Sequence, residues 1–118
     1  MRWLIACLVA LSPPIASAEE QLLTGNEISE LMPRIEFVRQ RGVRVFSPDG
    51  SSHVVLRNGR RDATTWRVEK ELFCLTSPIL QDEHCYSIRP VYRNDTDRLQ
   101  AIILISDERE IHQTVNLK

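Results

Sequence analysis

Glycine and aromatic residues are both scarce in this chain, with four glycines and seven Phe, Trp and Tyr residues in 118. Gly25, Gly42, Gly50 and Gly59 stand singly, each at a turn or cap, so no glycine-rich loop exists to cradle a phosphate. No G-x-S-x-G elbow is present to raise a nucleophilic serine. There is no C-x-x-C, and His53, His84 and His112 show no paired spacing, which excludes the common zinc-ligand patterns. No apolar run approaches the about 18 residues of a membrane-spanning helix. Nor does one sign of charge dominate. Fifteen basic residues face sixteen acidic ones, for a formal charge of −1, which gives no general pull toward nucleic acid or an anionic membrane.

What is present begins at the N-terminus. Met1-Arg2 is a short basic start, and Trp3 to Leu11 is apolar. Ser12-Pro13-Pro14 breaks the run, and Ala16-Ser17-Ala18 places small residues before Glu19-Glu20. This is the order of a secretory signal peptide. Residues 1–18 are therefore expected to be cleaved, leaving 19–118 as a single domain with no membrane anchor. Leu4-Ile5-Ala6-Cys7 has the look of a lipobox, but almost no hydrophobic segment precedes Cys7, which reads as part of the apolar run. Loss of Arg2 takes the formal charge from −1 to −2. The expected place of work is the periplasm or the exterior. There an even pair of cysteines in a small domain reads as a disulfide, here Cys74–Cys85.

Thr24-Gly25-Asn26-Glu27 has capping-box spacing. Ile28, Leu31 and Met32 share one helical face until Pro33 stops the pattern. Strand patterns follow at Val43–Phe46, His53–Arg57, Ala63–Glu69, Leu72–Thr76, His84–Tyr92, Leu99–Ser106 and Ile111–Leu117. Turn signals separate them, including Pro48-Asp49-Gly50-Ser51, Asn58-Gly59, Asn94-Asp95-Thr96-Asp97 and Asp107-Glu108-Arg109. No helical pattern is long enough for a parallel crossover, so the sheet should be antiparallel. The expected fold is all-β with one short N-terminal helix: an up-and-down meander curled into a small barrel or half-barrel. A two-sheet β-sandwich is the alternative. A hairpin about Pro78–Gln81 would bring Cys74 opposite Cys85. Pro90, inside a strand pattern, predicts an edge or a bulge.

Several segments together resemble a group of small exported bacterial proteins, best known from alphaproteobacteria and mostly of unknown function. These are Leu23-Thr24-Gly25-Asn26-Glu27-Ile28, Phe46-Ser47-Pro48-Asp49-Gly50, Trp66-Arg67-Val68-Glu69, Cys74 and Cys85-Tyr86. One departure is Thr65, where such proteins usually carry glycine. The resemblance implies a small lipocalin-like antiparallel β fold and brings no catalytic residues or ligand with it.

Candidate chemistry is sparse. Asp49, Ser51, Ser52 and His53 lie together, but on a turn whose residue types serve the backbone. Asp82-Glu83 and Asp107-Glu108 fall in loops, as solvated charge does. Asn94-Asp95-Thr96 matches a glycosylation sequon that a bacterial protein would leave bare. The one asymmetry is basic. Residues 34–67 hold eight arginines against Glu36, Asp49 and Asp62. Arg57, Arg60, Arg61 and Arg67 form a candidate surface for an anionic partner, because arginine suits bidentate contact with carboxylate or phosphate. The competing account is that these arginines pair within the fold and keep strand edges soluble. Trp66, Val68, Phe73 and Tyr86 could line a ligand cavity, or fill the core as small barrels usually do. The reading is an exported protein-interaction or inhibitor-type binding module of the cell envelope, without cofactor or metal. Its expected partner is an envelope or extracellular protein or an acidic polymer, not nucleic acid. A lipocalin-like carrier of a small apolar ligand is the alternative, and a hydrolytic enzyme comes last.

Overall fold

A computed structural model describes residues 21–118 apart from Arg60, Arg61 and Asp95. The signal-peptide reading, Cys7 and part of the arginine segment thus lie outside the described residues. Helix α1 spans Gly25–Leu31 and runs into a 3-10 turn at Met32–Arg34. Eight strands follow among the described residues. They are β1 Ile35–Val38, β2 Gly42–Phe46, β3 Ser51–Leu56, β4 Ala63–Glu69, β5 Leu72–Thr76, β6 Glu83–Tyr92, β7 Leu99–Ile105 and β8 Glu110–Leu117. Each pairs antiparallel with the next, and β1 returns to β8, so the sheet is a closed barrel.

The strand that sequence patterning passes over is β1. It is four residues long and abuts the turn containing Pro33. It nevertheless closes the barrel: Ile35, Glu36 and Phe37 stand opposite Leu117, Asn116 and Val115, and its other side pairs with Val43–Val45. Closure removes the unpaired edge that an open meander would expose.

Alternation decides what lies inside. Phe37, Phe46, Trp66, Phe73, Ile88, Ile102, Leu104 and Val115 are buried and form one cluster with Ile28, Met32 and Ile35. Three phenylalanines and Trp66 pack edge to face or tilted against one another. Ring centroids are 4.7 Å apart for Phe37–Phe46, 5.6 Å for Phe46–Phe73 and 6.0 Å for Phe46–Trp66. Such contacts add to area burial because ring edges are positive and faces negative. The Trp66 indole N–H donates to the Ser47 carbonyl at 2.9 Å, so its one polar group is satisfied. β7 is apolar on both faces. Outward-facing Ile103 is also buried, and its cross-strand neighbours are Arg89 and His112.

The helix plugs one end of this core. Thr24 Oγ1 accepts from the Glu27 amide at 3.2 Å, and Glu27 Oε1 accepts from the Thr24 amide at 2.8 Å. That capping box matters because a two-turn helix has little stability of its own. Ile28 and Met32 turn inward. The Leu23 amide donates to the Ile88 carbonyl at 2.9 Å, on the side of β6 that β5, ending its pairing at Tyr86, does not cover. Pro90 lies in this uncovered stretch, and the register shifts between Val91 and Tyr92.

Cys74 and Cys85 face each other across β5 and β6 and are disulfide-bonded. They are 11 residues apart in sequence, and a loop of that size is worth about 2–3 kcal/mol in the chain-entropy account.

Gly25 seats the helix on the β4–β5 turn. Its amide donates to Glu71 Oε2 at 3.0 Å, and a Cβ there would stand 2.2 Å from the Lys70 carbonyl oxygen. Gly25→Ala is expected to lower stability by about 1–3 kcal/mol, the usual cost of overpacking. Thermal or denaturant unfolding of the variant checks this, and an unchanged midpoint would contradict the seating.

Candidate functional site

The up-and-down order places the connections 39–41, 57–62, 77–82 and 106–109 at one end of the barrel, opposite the helix. Part of the basic segment lies at this hairpin end. Arg39, Arg41 and Arg57 are exposed, and none makes an ion pair among the described residues. Two connections are tied together there, because the Arg57 amide donates to the Arg41 carbonyl at 3.2 Å. Between them lies a shallow groove of about 340 Å³ lined by Gln40, Arg41, Leu56, Arg57 and Asn58.

The next hairpin ends in an apolar apex. Ile79 is 84 % exposed and Leu80 74 %. The apex is held by its own hydrogen bonds. The Ser77 amide donates to Asp82 O at 2.8 Å, the Gln81 amide to Ser77 O at 2.9 Å and the Leu80 amide to Ser77 Oγ at 3.2 Å. Gln81 adopts a φ of 61°, which tightens the turn and leaves both aliphatic side chains outside.

A further basic group lies inside. Arg44 is 5 % exposed and stands between Phe37 and Val54 on its neighbouring strands. Its Nη1 donates to Ser52 Oγ at 3.1 Å, and the Ser52 hydroxyl donates on to the Val45 carbonyl at 3.0 Å. Its Nε is buried without a hydrogen-bond partner. Burial pushes the guanidinium pKa down, Arg39 pushes it the same way, and Asp62 opposes both. A sequence signal for this residue exists. Phe46 belongs inside, and a period of two carries Arg44 to the same face.

The residues singled out in the sequence fall in different places. Arg57 is on the hairpin end, while Arg60 and Arg61 lie outside the described residues. Arg67 is on the outer wall and is occupied. Its Nε and Nη2 hold Glu83 at 2.8 and 2.9 Å, and its Nη1 holds Glu69. Trp66 and Phe73 are in the aromatic cluster, with Val68 and Tyr86 partly buried against it. Ser52 points inward to Arg44, while Asp49 turns its carboxylate to the Ser51 amide and hydroxyl at 2.9 and 2.7 Å. His53 follows Ser52 in β3 and so faces the other side of the sheet. Cys74, Cys85 and Glu83 bring two sulfurs and a carboxylate within 4.8 Å of one another. With both sulfurs in the disulfide they offer no thiolate to a metal.

No protein-family model, no curated protein and no solved structure matches the chain.

The hydrogen bonds from Arg67 hold the Glu83 carboxyl below the usual carboxylate range. A depressed folded-state pKa adds stability above the unfolded value and loses it as pH falls through the folded one. Glu83→Gln should therefore melt slightly lower than wild type near neutrality and converge with it at low pH, so that the acid limb of the stability profile flattens, as read by melting temperature against pH. For Arg44, exchanging a buried, incompletely bonded charge for an apolar residue of similar length removes a desolvation cost. Arg44→Met is expected to leave stability unchanged or raise it by about 1–4 kcal/mol. A clear loss in denaturant unfolding would mean that the Ser52 link outweighs the desolvation.

Proposed function

We propose that this protein is an exported binding module of the cell envelope that docks through the hairpin end of its barrel onto a negatively charged partner surface. The supporting observation is the set of exposed arginines Arg39, Arg41 and Arg57, gathered from two neighbouring connections and unpaired among the described residues. Arginines that serve internal pairing meet carboxylates of their own fold, as Arg67 does. The Cys74–Cys85 disulfide agrees with an oxidising compartment. The carrier reading has less behind it, since the aromatic cluster fills the barrel axis and Arg44, the interior cation, is bonded to Ser52.

Retention of the mature protein on immobilised poly-glutamate at low salt tests the proposal. Wild type is expected to be retained and to elute as salt screens the contact. Arg41→Glu with Arg57→Glu should reduce retention about tenfold, and equal retention of the double variant would overturn the reading.

A further inference from the structure

We infer that the negatively charged surface is a lipid bilayer rich in anionic phospholipid, and that the Ile79–Leu80 apex of the β5–β6 hairpin inserts into it. This rests on the docking end proposed above and names its partner. Ile79 and Leu80 are consecutive aliphatic residues at the convex tip of a hairpin, 84 % and 74 % exposed. A protein partner would have to surround such a tip. Protein interfaces instead gather their energy from Trp, Tyr and Arg in well-packed central pockets, with Leu under-represented. A bilayer interface closes around a protruding aliphatic pair without needing a matching shape.

The backbone of the apex is partly prepared for that environment, because amide groups entering a low-dielectric layer need partners. The Leu80 and Gln81 amides donate to Ser77 within the turn and Pro78 has no amide hydrogen, which leaves the Ile79 amide, without a partner among the described residues, to bond a headgroup oxygen or water. The stem below is fixed by the Cys74–Cys85 disulfide, so the two side chains are presented by a preformed hairpin.

Charge sets the tilt. Arg57 stands on the connection to one side of the apex, and Arg39 and Arg41 stand on the connection across the barrel end from it. The connection on its other side carries Asp107 and Glu108 with Arg109. Asp82, at the base of the apex, faces His84 with Oδ2 3.0 Å from Nε2. The barrel would lean onto its arginine side, where long side chains reach phosphate groups while the apex enters the acyl boundary.

Flotation of the full mature protein with vesicles provides the test. The arms are phosphatidylcholine alone and an equal mixture of phosphatidylcholine and phosphatidylglycerol, each at low and high salt. Wild type is expected to float with the mixed vesicles at low salt and to bind phosphatidylcholine about tenfold less. Ile79→Ser with Leu80→Ser changes only exposed positions. It should keep the wild-type melting temperature and poly-glutamate retention, yet lose about tenfold in flotation. Wild-type protein that stays out of the mixed-vesicle layer, or a tip variant that floats like wild type, overturns the inference. If flotation fails while arginine-dependent retention on poly-glutamate persists, the lipid is wrong, the acidic-partner reading stands and the partner is a protein or polymer. If both fail, both readings fall.

Discussion

The pairing of β1 with β8 is the constraint on which the rest of this structure depends. Seven strands in an up-and-down meander would leave two open edges, each offering unpaired amides and carbonyls to any other chain. Four residues, Ile35–Val38, close the gap by pairing on both sides at once. Closure turns alternation into an inside and an outside, and the inside is narrow enough for four aromatic rings to fill much of its axis. The chain reaches β1 through the helix and the 3-10 turn. The strand that closes the wall therefore continues directly from the element that plugs the end, and the Lys118 amide reaches back to the Arg34 carbonyl at 2.9 Å.

Closure also separates the two ends of the molecule. At the helix end, Ile28 and Met32 sink into the core and Gly25 admits the β4–β5 turn at close range, while Leu22, Tyr92 and Leu117 stay about half exposed. The hairpin end is built differently. Its connections carry arginines without carboxylate partners among the described residues and an apolar apex without a cover. Exposed aliphatic surface in a folded domain has a cost in water that a bound surface removes. Ile79 and Leu80, the most exposed of the large apolar side chains among the described residues, support placing recognition at the hairpins and not within the barrel.

Arg44 connects the interior to that end. Among the described residues, its guanidinium is taken from water for one neutral hydrogen bond, with Nε left bare. The like charge of Arg39 lowers its pKa further. Cationic charge is therefore concentrated near the basic end from inside the wall as well as on it. By contrast, Arg67 shows what a satisfied arginine looks like in this fold, holding one carboxylate with two nitrogens and a second with the third.

Much of this architecture is legible in local chemistry. Thr24 and Glu27 announce the helix start because a cap needs those groups at that spacing, and Gly50 marks a turn with a φ of 93°. Alternation in Ala63–Glu69 and Ile111–Leu117 sets faces before any contact is known. Even the Cys74–Cys85 pairing follows from a hairpin between two strand patterns. Three things were decided only by tertiary structure. β1 is too short to register as a pattern, and it is a strand because two partners supply its hydrogen bonds. Similar arginines separate into paired Arg67, buried Arg44 and exposed Arg41 and Arg57, since strand face and distance to a carboxylate are set by the closed wall and not by composition. Ile79 and Leu80 read locally as ordinary apolar residues of a turn. Only the barrel, by carrying that turn to an end that nothing else covers, makes them a surface.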